Sequence, residues 1–68
     1  MAVNGPSIRA IREAAHRRQG EVAEAVGITQ GALSNIEAGR DQPSDELVAK
    51  IAQELGIRDL AAIVWPEQ

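Results

Sequence analysis

Between Gln19 and Gly39 the chain holds two short apolar repeats at helical spacing, each stopped by a glycine, and this pairing limits the folds open to it more than any other stretch. Val22, Ala23 and Val26 share one helical face, and Gly27 follows as a residue free to take positive φ. Ile28 then fills the corner. Thr29 is placed to cap a second helix through its hydroxyl, and Ala32, Leu33 and Ile36 repeat the spacing up to Gly39. Two short helices joined by one tight turn are therefore expected, with the second as the working face.

Sixty-eight residues suffice for one domain with a thin core. There is no Phe or Tyr and the only aromatic residue is Trp65, so burial falls to small aliphatic side chains. Each fully buried Leu or Ile is worth about 1.5–3 kcal/mol, a large share of what so small a domain can accumulate. The chain has no cysteine, which excludes a disulfide staple and a thiolate site, and its single histidine, His16, cannot form a metal centre alone. No cofactor is expected. No apolar run approaches a membrane span and the N-terminus lacks the core of a signal peptide, so the expected location is the cytoplasm, with no membrane partner.

The formal net charge of −3 runs against a polyanionic partner until it is divided along the chain. Residues 1–40 hold five arginines against four acids, a net of +1, whereas residues 41–68 hold two bases against six acids, a net of −4. The first half meets a polyanion more easily than the second.

In chain order, residues 1–6 read as a flexible lead with Asn4-Gly5-Pro6 as turn material, residues 7–65 as the folded domain and residues 66–68 as a tail. Ser7 is the expected cap of the first helix. Ile8, Ile11 and Ala15 form its inward stripe, and Arg9, Arg12, Glu13 and His16 lie around the other faces. His16-Arg17-Arg18 makes the first corner without glycine or proline, with His16 expected to take the helix-ending conformation. Past the polar loop Arg40-Asp41-Gln42-Pro43, Ser44 caps a fourth helix whose first turn holds Asp45 and Glu46, where the helix dipole favours acids. Leu47, Val48, Ile51, Ala52 and Leu55 are its buried stripe and Gly56 its stop. A last helix from Asp59 to Val64 directs Leu60, Ile63 and Val64 inward, limited by Pro66. With no strand-period alternation and no internal repeat, the expectation is an all-α fold of five helices.

A helix, a short glycine turn and a second helix form the unit that lays its second helix in a DNA groove. Here the chain resembles the Cro/repressor-type (XRE-like) helix-turn-helix domains of phage and bacterial regulators, from about Ile8 to Val64. The resemblance rests on Ile8, Ile11 and Arg12, on Gln19, Val22, Ala23, Val26, Gly27 and Ile28, on Gln30, Leu33, Ile36, Glu37, Gly39, Arg40, Pro43 and Ser44, and on Leu47, Ile51, Ala52, Leu55, Gly56 and Ile57. It implies a lambda-repressor-like domain with the helix-turn-helix in helices 2 and 3, and a sequence-specific, double-stranded-DNA-binding transcriptional regulator, repressor or Cro-like.

The resemblance also implies roles for single residues. Gln19 is similar to the glutamine that bonds phosphate from a helix N-terminus. Gln30, Gly31 and Asn35 stand where the family meets base edges, and the amides of Gln30 and Asn35 have the donor and acceptor needed for adenine N6 and N7. Ser34 shares that arc. Arg12 and Glu37, 25 residues apart, match a family ion pair that ties the first helix to the third and aims the arginine at phosphate. Arg40 looks like the loop contact to phosphate, with Gln42 and Ser44 as milder candidates. The partners implied are a palindromic operator and a second copy of the chain, joined through the C-terminal helices or only on DNA.

The chain departs from the family pattern at three places. His16, Arg17 and Arg18 replace a glycine, an apolar anchor and a serine or threonine cap, so Arg17 and Arg18 either contact phosphate or cover apolar surface with their stems. Gly20 inside the second helix costs about 1 kcal/mol relative to alanine unless backbone must pass close to DNA. Gly31 removes a side chain from a reading position, which implies a looser code or a close fit to a thymine methyl beside Ala32. Trp65 has two readings, the floor of the core or an exposed patch shared with Ile63 and Val64. The competing function is a protein-interaction module such as an antitoxin or adaptor, favoured by the acidic second half. An enzyme is disfavoured because no nucleophile has a plausible base.

Overall fold

The computed structural model describes residues 2–66, and Asn4, rather than Ser7, opens its first helix. Helix α1 spans Gly5–Ala14, α2 Gln19–Val26, α3 Gln30–Glu37 and α4 Asp45–Leu55, followed by a 3-10 turn at Leu60–Ala62. The class is all-α as expected, but the fifth helix shrinks to that single turn. The cause is the strand-like course the chain takes next, where Val64 forms an isolated antiparallel bridge with Val3. Of the segments expected to lie outside the domain, Met1, Glu67 and Gln68 are beyond the described residues.

Asn4 Oδ1 accepts from Ser7 N at 3.2 Å, with Pro6 inside the first turn, where a missing N–H leaves no gap in the helix. Residues 2–4, expected in a lead, pack into the domain instead. Val3 is buried, Asn4 N donates to Ile63 O at 2.8 Å and Trp65 N to Ala2 O at 2.8 Å, so both ends of the described chain close one side of the core. Gly5 is buried too, because α1 starts directly over the end of α3: a Cβ there would lie 2.1 Å from Ile36 O and 2.7 Å from Glu37 O.

The inward stripe of α1 is Gly5, Ile8 and Arg12, with Ile11 half-buried, whereas Ala15 is exposed. This corrects the outward placement of Arg12: positions 5, 8 and 12 share a helical face whatever their polarity, and Glu37 makes the charged member tolerable. α2 packs on α3 and α4, and α1 on α3. Ile8, Val22, Leu33, Val48, Ile51 and Ile63 are the largest fully buried side chains. Trp65 is 55% exposed, so Ile63 and not Trp65 closes the core; because Ile63 is fully buried, it also drops out of the expected exposed patch.

The first corner is built as a helix-ending turn on a non-glycine residue. His16 takes φ +56°, His16 N donates to Glu13 O at 3.0 Å and Arg17 N to Arg12 O at 3.1 Å. A left-handed conformation costs a side-chain-bearing residue about 1–2 kcal/mol, partly offset when glycine's greater unfolded-state freedom is counted. His16→Gly is therefore expected to stabilise the domain by roughly 0.5–1 kcal/mol, read as a higher urea midpoint at unchanged slope. A lowered midpoint would mean that the imidazole makes contacts worth more than the backbone strain.

Candidate nucleic-acid interface

The exposed side of α3 follows from its buried side. Leu33, Ile36 and Glu37 face inward, which leaves Gln30 and Gly31 exposed and Ser34 and Asn35 half-buried one turn on. These four positions share a face because i, i+1, i+4 and i+5 recur on one side of a helix. Thr29 starts the helix, its Oγ1 accepting from Ala32 N at 3.0 Å, and Gly27 makes the preceding turn at φ +83°. No Cβ at Gly31 would meet another atom within 4 Å, so its surface is open.

Behind this face lies a connected polar network. Arg12 and Glu37 are only 8% and 4% exposed, and they pair in bidentate fashion, Nε to Oε2 at 2.8 Å and Nη2 to Oε1 at 3.1 Å. The third guanidinium nitrogen, Nη1, donates to Arg17 O at 2.9 Å. Hydrogen bonding to Glu37 raises the Arg12 pKa above its already high ordinary value, against the opposing effect of burial, so the guanidinium stays charged. Gln19 Nε2 also donates to Glu37 Oε1, at 3.0 Å, and Gln30 Nε2 donates to Gln19 Oε1 at 3.4 Å. A carboxylate can only accept, so Glu37 settles which way the Gln19 amide turns, and Gln19 in turn receives Gln30. Gly20 gives that last contact room: a Cβ there would sit 3.3 Å from Gln30 Oε1. Alanine at this position would require the exposed Gln30 amide to give by only a few tenths of an ångström.

The other expected contact residues divide into those held by the domain and those left outward. Arg17 Nη2 pairs with Glu54 Oε2 at 2.7 Å and Nη1 donates to Glu54 O at 3.3 Å, which anchors the first corner to α4 where the family pattern has an apolar residue. Gln42 Oε1 accepts from Val3 N at 3.0 Å, and Ser44 Oγ from Leu47 N at 3.2 Å as the cap of α4. Arg18 is outward, its side chain 88% exposed with Glu21 Oε1 3.9 Å away. As the first-flanking residue of α2 it makes no side-chain cap, which leaves the opening amides of that helix without a side-chain acceptor. Arg40 is exposed, and its Nε donates to Asn35 Oδ1 at 3.0 Å.

Sequence reasoning missed the Arg17–Glu54 and Gln42–Val3 links, each joining residues more than 35 apart, and no local pattern announces them. It also missed Asn4, for which a signal exists in asparagine two residues ahead of Pro6. Among the described residues there is no pocket, no group of metal-ligating side chains, and no helix long and apolar enough to cross a membrane.

Solved structures similar to this domain include a gene regulator and a restriction-modification controller protein. The clp gene regulator ClgR from Corynebacterium glutamicum matches at 36% identity in two crystal structures, with TM-scores of 0.75 and 0.73 over 76% of this chain. The chain spans 55% of the first ClgR chain and 68% of the second. The restriction-modification controller protein C.AhdI from Aeromonas hydrophila matches at 26% identity and a TM-score of 0.75, covering 79% of this chain and 78% of that one. No curated protein shows significant similarity. The helix-turn-helix family model matches residues 8–62, which takes in α2, its glycine turn, α3 and most of the core around them, and the chain accordingly belongs to the XRE-type helix-turn-helix family.

Proposed function

We propose that the chain is a sequence-specific double-stranded-DNA-binding transcriptional regulator that lays α3 in the major groove, working in the bacterial cytoplasm. The observation that carries this reading is the outward arc of Gln30, Gly31, Ser34 and Asn35 on a helix whose opposite side is locked into the core. Gln30 uses one amide hydrogen on Gln19 and keeps its Oε1 and a second N–H, the pair that adenine N6 and N7 require. Phosphate contact falls to Arg18, Arg40, the second amide hydrogen of Gln19 and the uncapped N-terminus of α2, where the helix dipole attracts anions. Arg12, Arg17 and Gln42 support this face from behind. The Arg12 guanidinium, the two Nη groups of Arg17 and Gln42 Oε1 are engaged inside the domain, as the distances above record. The similarity to a gene regulator and a controller protein supports the same class.

A twofold dimer on a palindrome, formed through the C-terminal segment or only on DNA, belongs to this proposal, with half-sites about 34–36 Å apart. Selection of bound duplexes from a random pool tests it. Asn35→Ala is expected to weaken binding to the recovered duplex about tenfold while leaving a scrambled duplex nearly unaffected; equal losses on both would reject base reading. The acidic net of residues 41–68 favours a protein-interaction module as the competing reading. Salt separates the two. With two arginines per half-site on phosphate, raising salt from about 50 to 200 mM should lower DNA affinity about a hundredfold, whereas an apolar protein interface would hardly change.

A further inference from the structure

α3 ends in a turn that sets Arg40 against Asn35. Gly39 takes φ +81°, Gly39 N donates to Ile36 O at 3.1 Å and Arg40 N to Asn35 O at 2.9 Å. In turns of this type the two residues so juxtaposed commonly make an apolar contact that secures the helix end. Here they are an amide and a guanidinium, and Arg40 Nε donates to Asn35 Oδ1 at 3.0 Å on the exposed side. A guanidinium has donors only, so it faces the oxygen of the amide and the Asn35 NH2 group is turned the other way.

We propose that Arg40 is a specificity-determining residue: by holding Asn35 Oδ1 it presents Asn35 to the base chiefly as a donor and so favours guanine, where a free asparagine would take adenine. This rests on the DNA-reading function above. Adenine offers one acceptor, N7, beside one donor, N6, and an asparagine satisfies both only if its oxygen is free to point at N6. Oδ1 keeps a second lone pair, but the guanidinium charge beside it disfavours an approaching donor such as N6–H, so what Asn35 offers a base best is its pair of N–H donors. Guanine presents two adjacent acceptors, N7 and O6, and meets such a surface best; thymine presents one acceptor and a methyl group, and cytosine a donor, which is repelled. Gln30 contrasts with this, because its bond to Gln19 runs through nitrogen and leaves its own oxygen free. One helix thus holds two amides with opposite free faces.

The test is selection from a random duplex pool with the full chain, Asn35→Ala and Arg40→Ala, followed by titration of the recovered duplex. Asn35→Ala identifies the base position concerned as the one whose preference disappears. Guanine is expected there for the wild type, and 7-deazaguanine at that position should weaken wild-type binding about fivefold or more. Arg40→Ala, a change at an exposed loop residue, should switch the preference to adenine while also lowering affinity for all duplexes through the lost phosphate charge. An adenine preference in the wild type, or a uniform loss in Arg40→Ala with the guanine preference intact, would overturn the assignment and leave DNA reading standing. Failure of every variant and the wild type to enrich any duplex would overturn both.

Discussion

Glu37→Ala is expected to unfold most of the protein at room temperature. The substitution leaves the Arg12 guanidinium, 8% exposed, with Arg17 O as its one remaining partner among those seen, and takes away the carboxylate that orients Gln19. Removing one member of a buried ion pair costs about 3–5 kcal/mol, because the other is left as an uncompensated charge out of water. A single core in a domain of this size supplies about the same amount in total. Circular dichroism at 222 nm should therefore fall towards the unfolded value, and a folded variant with a urea midpoint near the wild type would show that water reaches Arg12 and that the pair is not buried in the energetic sense. The pair itself is a different matter from its halves. Arg12→Met with Glu37→Leu, which fills similar volume without charge, is expected to fold with stability equal to or above the wild type, yet to bind DNA more weakly, since Gln19 and through it Gln30 lose their fixed orientation.

Gly5→Ala is expected to destabilise by about 3 kcal/mol, overpacking at the upper end of the usual range. Helix propensity alone predicts the opposite sign, a gain of about 1 kcal/mol for alanine over glycine inside a helix. Sterics decides, because the added Cβ would stand 2.1 Å from Ile36 O and 2.7 Å from Glu37 O. Both are backbone atoms at the end of α3, and neither can rotate aside as a side chain would. Either α1 lifts away from α3, loosening Ile8 and Arg12, or the last turn of α3 opens. Gly31→Ala is the control: it lies in a helix with nothing within 4 Å of the new Cβ, so it should stabilise by about 1 kcal/mol. Thermal melts of the two variants are expected to move in opposite directions, and a Gly5→Ala melt at or above the wild type would mean that α1 and α3 are not in the contact described.

The helix-turn-helix was legible residue by residue. Thr29 and Ser44 cap the helices they were expected to cap, Gly27, Gly39 and Gly56 take the left-handed conformation that stops a helix, and His16 takes it at the first corner. Val22, Leu33, Val48 and Ile51 are buried at the spacings that predict burial. The outward position of Gln30, Gly31, Ser34 and Asn35 follows from the same periodicity, since the apolar residues claim the other side. Reading Asn4-Gly5-Pro6 as a loop went astray because those residues serve both turns and helix starts, and the choice between them depends on what lies next to the segment.

Caps, stops and apolar stripes act between residues no more than about one helical turn apart, so the amino-acid order alone determined α2, its turn, α3, α4 and the outward face of α3. What joins distant segments was decided only by the folded chain. Helical spacing puts Arg12 on the face of Ile8 and the family resemblance pairs it with Glu37, but nothing local tells that Arg17 meets Glu54, that Gln42 holds Val3, or that Ile63 rather than Trp65 closes the core. The physical reason is that a charge or an amide is stable either in water or against a partner of matching polarity, and the partner becomes available only when packing of the aliphatic side chains has brought the helices together.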